Sequence, residues 1–359
     1  MPNPHYYGLI LAGGRGTRFW PRSRKRYAKQ VLNVFGERSL IQGTVERLAP
    51  LIAPERLWVL TSRDLRDAIV SQLPEIPKRQ VLAEPAQRNT APAIGLAAQI
   101  LSTQDPKAVM GVFPADHLVG KPAAFRKALH AAFRGAEADR LMVVGIQPRW
   151  PETGYGYIEF PRGVVAGNGA AIAVRRFHEK PPLARAKRYL ASGNFYWNSG
   201  MFFWRPSVLL EALRRYLPRT ATMLAALPRL GARKFAAELE RVFPLCESIS
   251  IDFAVMEKAD NVGGIAAADF GWSDVGSWNA VYELLPRDGC GNAVAPESIC
   301  LDAHNNFVDA RGKTVALVGV KDLIVVDTAD ALLVADRARA QQVGEVVKAL
   351  EKQRREELL

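Results

Sequence analysis

Short apolar runs alternate with amphipathic segments over residues 1–145 of the chain. Four runs have the length and composition of buried strands, at residues 7–12, 57–60, 109–113 and 141–145. Between them, apolar positions recur at helical spacing over residues 40–48, 64–73, 91–101 and 123–136. Strands that alternate with helices predict an α/β fold with a mixed, mostly parallel sheet that is covered on both faces.

The pattern changes near residue 285. Four short segments with alternating apolar residues follow, separated by turn residues such as Asn305, Asn306 and Gly312, at 298–301, 314–318, 322–326 and 331–334. This spacing predicts a small all-β unit. Residues 336–359 are charged and rich in helix formers, so a terminal helix is expected. We therefore predict a large domain at residues 1–285 and a small β domain with a C-terminal helix at 286–359.

Composition and charge narrow the classes of partner. The chain has 359 residues, 48% of them hydrophobic and 23% charged, and can bury a sizeable core. Its net charge of +12 favours anionic partners, and the densest basic run lies at residues 22–26. No signature of a nucleic-acid-binding module is present, so phosphorylated small molecules are favoured over nucleic acid. No apolar run reaches the ~20 residues of a membrane span, so no membrane partner is expected.

The cysteines and the N-terminus indicate a reducing compartment. Cys246, Cys290 and Cys300 are odd in number and form no CxxC pair, which argues against a disulfide framework and a structural zinc site. The first residues lack the charged and apolar regions of a secretion signal. We expect a cytoplasmic protein.

A glycine-rich segment follows the first predicted strand, with the sequence Leu-Ala-Gly-Gly-Arg-Gly-Thr-Arg-Phe-Trp-Pro at residues 11–21. Glycines in such a turn let backbone N–H groups approach phosphate oxygens. The segment is neither a Walker loop nor the dinucleotide-binding fingerprint, because Phe19 stands at the last glycine position of the latter. A tight turn without a ligand remains the alternative, but Arg15, Arg18 and Lys29 favour phosphate binding.

Residues 11–32 closely resemble the N-terminal signature of mannose-1-phosphate guanylyltransferases, which belong to the sugar-phosphate nucleotidyltransferase superfamily. Further motifs similar to those of the family follow in order: Glu-Pro-Ala-Gln-Arg-Asn-Thr-Ala-Pro-Ala-Ile at 84–94, Pro-Ala-Asp-His at 114–117, Thr-Gly-Tyr-Gly-Tyr at 153–157, Phe-His-Glu-Lys-Pro at 177–181, Trp-Asn-Ser-Gly-Met at 197–201, Ser-Ile-Asp at 250–252 and Gly-Trp-Ser-Asp-Val-Gly-Ser-Trp at 271–278. An ordered series of motifs is more specific than any single one.

The resemblance implies a Rossmann-like (GT-A-like) nucleotidyltransferase domain, a C-terminal β domain similar to a left-handed β-helix, and a homodimer. It also implies the reaction, in which GTP and α-D-mannose 1-phosphate give GDP-mannose and pyrophosphate by in-line attack at the α-phosphorus with Mg²⁺. A phosphate monoester is largely dianionic at neutral pH, so no general base is needed. In-line positioning and charge neutralisation are needed instead.

The resemblance also implies roles for individual residues. Asp116 and Asp274 are expected to hold Mg²⁺, although taken alone each aspartate could simply cap a turn. Arg15 and Lys29 are assigned to the β- and γ-phosphates, and Lys180 to the phosphate of the sugar. Nucleotide binding is assigned to Leu11, Ala12, Gly13, Gly14, Arg15, Gly16, Thr17, Arg18, Lys29, Glu84, Arg88, Asn89, Thr90 and Asp116, and sugar binding to Gly154, Glu179, Lys180 and Asn198.

Two departures and three alternatives accompany this interpretation. Ala28 precedes Lys29 where the family usually has proline, and Val31 replaces a common phenylalanine, so a more mobile loop is expected. A related uridylyl- or thymidylyltransferase, a non-catalytic sugar-nucleotide sensor and a nucleic-acid binder are the alternative functions. The groups that read guanine are not identified beyond residues 84–90.

Overall fold

The computed structural model describes residues 2–359. Over residues 6–146 the chain alternates between strands and helices, as the apolar pattern predicts. The strands are β1 (Tyr6–Ala12), β2 (Leu57–Ser62), β3 (Val81–Glu84), β4 (Val109–Pro114), β5 (Leu118–Val119), β6 (Leu141–Ile146), β7 (Tyr157–Glu159), β8 (Ile172–Ala173), β9 (Arg176–His178), β10 (Phe195–Trp204), β11 (Val262–Ala266) and β12 (Trp272–Ser273). The helices are α1 (Leu40–Leu48), α2 (Arg63–Gln72), α3 (Thr90–Gln104), α4 (Pro122–Glu137), α5 (Leu183–Ser192), α6 (Pro206–Tyr216), α7 (Pro218–Ala225), α8 (Phe235–Val242) and α9 (Trp278–Leu284).

Ten of these strands form one mixed sheet with the order β3-β2-β1-β4-β10-β6-β11-β8, to which β7 is added beside β10 and β9 beside β7. β1 is parallel to β2 and β4, and β6 is parallel to β11, whereas β10 is antiparallel to both β4 and β6. The carboxyl ends of β1, β4 and β6 therefore lie at the same edge of the sheet. Ligand sites of open α/β sheets form at such an edge.

Two apolar layers hold the sheet between helices. On one face α1, α2 and α4 bury side chains such as Ile41, Ile69 and Phe133. On the other face α3, α6, α7 and α8 cover strand residues that include Leu9 and Val112. These buried strand residues are nearly continuous rather than alternating, as expected for strands covered on both sides.

The C-terminal region, residues 286–359, contains five further strands and a helix. They are β13 (Ile299–Leu301), β14 (Phe307–Asp309), β15 (Ala316–Val318), β16 (Leu323–Asp327), β17 (Leu332–Asp336) and α10 (Val343–Lys352). β13 pairs in parallel with β15, and β14 with β16, whereas β17 is antiparallel to β16. The parallel pairs stack successive turns of the chain. This region shares an apolar core with Phe19, Trp20 and Leu32, which lie within or just beyond the glycine-rich segment.

The predicted fold class is confirmed, with a mixed, mainly parallel sheet followed by a β domain. The boundary near residue 285 stays a prediction. Among individual elements, the predicted strands and helices do not include β3, β5, β7 to β12, β14 or α5 to α9, and the terminal helix α10 is shorter than the interval 336–359. β10 was missed because Asn198, Ser199 and Gly200 interrupt its apolar run, so its sequence shows neither a continuous apolar run nor a regular alternation.

Candidate active site

The glycine-rich loop after β1 is held by its carbonyl groups. Leu11 and Ala12 are the last residues of β1, and the buried Gln30 side chain donates from Nε2 to the carbonyl oxygens of Ala12 (2.6 Å) and Gly14 (3.0 Å). The backbone N–H groups of residues 14–16 donate to no acceptor within residues 2–359. Unpaired amides in a glycine-rich turn form a binding site for phosphate oxygens.

Gly16 brings this loop against Lys29. Its φ of +60° is in the left-handed region, and an added Cβ would lie 2.6 Å from Cβ of Lys29. Glycine is therefore required twice at this position, for backbone conformation and for space. Thr17 begins the short 3-10 turn Thr17–Phe19 that continues the loop.

Lys29 connects the two predicted metal ligands. Its side chain is 8% exposed, and its Nζ lies 2.8 Å from Oδ2 of Asp116 and donates to the backbone carbonyl of Asp274 at 2.6 Å. The loop, Asp116 and Asp274 thus surround one ammonium group. The residue that the sequence assigned to the triphosphate is at the centre of this arrangement.

A small strand pair explains why Asp116 and Asp274 meet. Asp116 follows β4 and precedes β5, and Asp274 directly follows β12. β5 and β12 form a two-stranded antiparallel sheet in which Leu118 pairs with Ser273. The two aspartates therefore flank one strand pairing, although 157 residues separate them in the sequence.

The charges around Asp116 favour its ionised form. Burial acts to raise the pKa of Asp116, but the Lys29 ammonium and nearby hydrogen-bond donors outweigh burial and hold the pKa below its usual range. His117 behaves differently, because burial lowers its pKa to about 4. Neutral His117 accepts a hydrogen bond at Nδ1 from the Trp272 indole (3.1 Å), so it is a structural neighbour of the site.

Tyr155 fixes the carboxylate of Asp274. Its hydroxyl donates to Oδ1 of Asp274 at 2.6 Å, and its ring packs edge-on against Trp197 and Trp272. Burial and the charge of Asp274 raise the pKa of Tyr155, so the phenol remains a donor. The 153–157 motif contains Tyr155, but no role was assigned to it from the sequence.

The segment predicted to contact the base runs from the end of β3 to the start of α3. Glu84 is close to the glycine loop, since a Cβ on Gly13 would lie 3.4 Å from Glu84 Oε2, and burial raises the pKa of Glu84 to about 7. Asn89 caps α3 through its side chain, which accepts from Thr90 N–H at 2.9 Å. The Arg88 guanidinium keeps a buried Nε without a partner among residues 2–359.

Two of the predicted sugar-binding residues, Glu179 and Asn198, lie against Gly156. A Cβ at Gly156 would collide with the carboxylate of Glu179 and lie 3.2 Å from Cβ of Asn198, so both side chains pack closely against the glycine. Lys180 has a φ of +46°, and its ammonium lies 3.4 Å from the Glu179 carboxylate. The Gly154 N–H, which was expected to meet the sugar, donates to a Glu152 carboxylate oxygen at 2.8 Å.

Asp252 is a further polar residue of this group that the sequence did not assign. Its Oδ1 accepts from Nδ2 of Asn198 at 2.9 Å, while Oδ1 of Asn198 accepts from Gly200 N–H at 2.9 Å. Burial raises the pKa of Asp252, and burial together with the charge of Asp252 raises the pKa of Glu179 to about 7. Asp252 also begins a π-helical turn, a feature frequent at functional sites. The Ser-Ile-Asp motif was the signal for it.

The arginines near the loop contact the C-terminal region. Arg15 pairs with Glu351 of α10 at 2.6 Å, and Nη1 of Arg18 donates to the Gly276 carbonyl (3.0 Å) and to the Gln341 side chain (2.9 Å). The basic run at 22–26 also pairs with this region, through Arg22–Asp309, Arg24–Asp330 and Lys25–Glu356. The run thus joins the two parts of the chain.

The residues at the site fit a magnesium ion. No group of three or more His, Cys, Asp or Glu side chains within residues 2–359 could hold a metal by itself. Mg²⁺ commonly takes one or two carboxylates and completes its shell with phosphates and waters. Asp116 and Asp274 supply two carboxylates, and Oδ1 of Asp274 is oriented by Tyr155.

Within residues 2–359, no helix has the length and the apolar content needed to cross a membrane.

Comparisons with known proteins agree with this geometry. Residues 7–289 match the family described as "Nucleotidyl transferase", and residues 296–350 match the "MannoseP isomerase/GMP-like beta-helix domain". The mannose-1-phosphate guanylyltransferase of Escherichia coli strain K12 is 40% identical over 370 residues, which cover 99% of this chain and 76% of that protein. The xanthan biosynthesis protein XanB of Xanthomonas campestris is 42% identical over 354 residues, covering 97% and 74%.

Two solved structures are also similar to this chain in sequence and fold. A Thermus thermophilus protein, described as a mannose-1-phosphate geranyltransferase, is 36% identical with a TM-score of 0.86, and the match covers 97% of this chain and 99% of that one. A Helicobacter pylori protein described as mannose-6-phosphate isomerase is 27% identical with a TM-score of 0.60, covering 74% and 99%. On its sequence, fold and motif order, this chain belongs to the mannose-1-phosphate guanylyltransferases of the nucleotidyl transferase family.

Proposed function

We propose that this chain transfers GMP from GTP to α-D-mannose 1-phosphate and releases pyrophosphate. The observation that carries the proposal is the position of Lys29, whose ammonium contacts Asp116 and the Asp274 carbonyl beside a glycine-rich loop with free amides. A site of this kind suits the meeting of two phosphate groups. The relatives named as mannose-1-phosphate guanylyltransferases support the same substrates and products.

In the proposed mechanism an oxygen of the sugar phosphate attacks the α-phosphorus of GTP. A bond forms between this oxygen and the α-phosphorus, and the bond from the α-phosphorus to the bridging oxygen of pyrophosphate breaks. The chain's contribution is positioning and charge, because the dianionic nucleophile needs no base. Loop amides together with Arg15 and Lys29 bind the departing β- and γ-phosphates, and Lys180 holds the sugar phosphate against the repulsion of the nucleotide.

Asp116 and Asp274 would hold Mg²⁺, with Tyr155 orienting the second carboxylate. When bound, the ion neutralises phosphate charge during the transfer. On the sugar side, Glu179 and Asn198 are proposed to bind hydroxyl groups. Such contacts discriminate well between sugars, because a wrong sugar leaves buried polar groups unpaired.

Substrate identity is tested by a screen of the purified chain. Pyrophosphate release is measured with GTP, ATP, UTP and dTTP, each with mannose 1-phosphate and with glucose 1-phosphate. GTP with mannose 1-phosphate should give the highest kcat/KM. Preference for UTP or dTTP with glucose 1-phosphate would establish the uridylyl- or thymidylyltransferase alternative and overturn the proposed substrates.

Catalysis is distinguished from sugar-nucleotide sensing by one pair of variants. Asp274→Ala should abolish Mg²⁺-dependent pyrophosphate release. Asp269→Ala is the matched control, because Asp269 is an exposed aspartate of the same segment and pairs with Lys121. Binding of GDP-mannose by the wild-type chain without any turnover would favour the sensor.

We also propose a cytoplasmic homodimer. The C-terminal β strands expose apolar side chains, Ile299, Leu301 and Val318 on one sheet and Leu332 and Val334 on the other. An exposed apolar sheet face is typical of a protein interface. Light scattering should give twice the chain mass, and the mass of a single chain would refute the dimer.

A further inference from the structure

The C-terminal helix α10 lies against the glycine-rich loop. Gly344 packs on Thr17 and Arg18, since a Cβ at this glycine would lie 3.4 Å from the threonine hydroxyl and 3.7 Å from Cγ of the arginine. Further along the helix, the Glu351 carboxylate pairs with Arg15 at 2.6 Å. Within the folded chain, the Glu351 carboxylate therefore forms an ion pair with the Arg15 guanidinium, the group that is assigned to the β- and γ-phosphates.

Two features of the Arg15–Glu351 pair allow an anionic ligand to displace Glu351 from Arg15. Arg15 and Glu351 are 40% and 39% exposed, so water and a ligand reach both side chains. Glu351 also lies in the last turn of α10, where the helix dipole disfavours a negative charge. By contrast, the Arg22–Asp309 pair of the same interface is about four-fifths buried on both sides.

We propose that Glu351 is part of the nucleotide site and competes with the triphosphate for Arg15. The proposal rests on the function proposed above, in which Arg15 binds the β- and γ-phosphates. The polyanionic triphosphate displaces Glu351, while the buried contacts keep the C-terminal region docked. Glu351 thereby sets the affinity for ligands with these phosphates.

The test compares Glu351→Gln with Glu345→Gln. Both variants lose one negative charge from an exposed position of α10, but Glu345 pairs with Lys348 instead of Arg15. Dissociation constants for GTP, pyrophosphate and GMP are measured by calorimetry with Mg²⁺ and without sugar phosphate. Glu351→Gln should bind GTP and pyrophosphate about two- to fivefold more tightly, the range for an exposed ion pair.

Three further results are expected. GMP, which lacks the β- and γ-phosphates, should bind equally to all three proteins, and Glu345→Gln should match the wild type for every ligand. The gain in Glu351→Gln should shrink as salt screens the pair. Equal GTP affinity in Glu351→Gln and wild type at low salt would overturn the competition.

Arg15→Gln separates this result from a failure of the proposed function. If Arg15→Gln weakens GTP binding while Glu351→Gln does not tighten it, the triphosphate assignment stands and the competition by Glu351 is wrong. If Arg15→Gln leaves GTP binding unchanged, Arg15 does not bind the triphosphate and both proposals are overturned.

Discussion

Replacing Tyr155 by phenylalanine removes one hydroxyl group and leaves the surrounding packing intact. The hydroxyl donates to Oδ1 of Asp274 at 2.6 Å, while the ring is held at centroid distances of 5.3 Å from both Trp197 and Trp272. Phenylalanine can keep the ring contacts. The variant therefore changes the orientation and polarity of the Asp274 carboxylate with little change in shape.

The size of the effect follows from the kind of hydrogen bond that is lost. A hydrogen bond to a charged group contributes about 1.5–3 kcal/mol. With about 1.4 kcal/mol per factor of ten, the affinity of Asp274 for Mg²⁺ should fall roughly 10- to 100-fold. Partners that orient a metal ligand show losses of the same order, about 10–100-fold. At saturating Mg²⁺ we expect kcat close to that of the wild type.

The assay measures pyrophosphate release against free Mg²⁺ at saturating GTP and mannose 1-phosphate. Tyr157→Phe is the control, because the Tyr157 hydroxyl donates to the Glu152 backbone carbonyl (2.8 Å) rather than to Asp274. Mn²⁺ binding, followed by electron paramagnetic resonance in the presence of GTP, gives a readout without turnover. The reasoning is refuted if Tyr155→Phe and Tyr157→Phe show the same half-saturating Mg²⁺ as the wild type.

Three further predictions concern stability and the sugar site. Ala28 has a φ of −74°, which proline can adopt, so Ala28→Pro should raise the free energy of unfolding by about 0.4–1 kcal/mol. A lower urea midpoint for this variant would mean that the buried position 28 has no room for the proline ring. The pKa of Glu84 is raised from 4.5 to about 7, so wild-type stability should fall relative to Glu84→Gln as pH rises through this interval; a pH-independent difference in Tm would contradict this. Asp252→Ala should raise the KM for mannose 1-phosphate about tenfold through loss of the Asn198 contact, with recovery in Asp252→Asn; an equal rise in the KM for GTP would place the defect elsewhere.

Local sequence patterns were sufficient to predict that the glycine-rich loop and Asp116 belong to one site. The strand before the glycine loop and the strand before Asp116 are continuous apolar runs, and parallel strands present their carboxyl ends at one edge. Periodicity therefore predicts that the loop and Asp116 lie at the same edge of the sheet. The contact of Lys29 with Asp116 is consistent with this.

The positions of Asp274 and Asn198 in the site depend on strand pairings that the periodicity of the sequence does not reveal. Asp274 reaches the site through β5 and β12, which have two residues each and are too short for a detectable alternation. Asn198 lies in β10, where the register shifts between Asn198 and Phe202. Because these contacts join distant parts of the chain, the resemblance to a family was the only signal for them.

The basic run at residues 22–26 shows how tertiary contacts change the meaning of a charge pattern. Its charge and its place directly after the glycine-rich segment favour an anion-binding site. In the structure, however, Arg22, Arg24 and Lys25 pair with carboxylates of the C-terminal region. Burial, rather than sequence, separates Arg22 and Arg24 from Arg15. The Arg22 side chain is 20% exposed and that of Arg15 is 40% exposed, so a triphosphate can reach Arg15 while Arg22 continues to hold the two parts of the chain together.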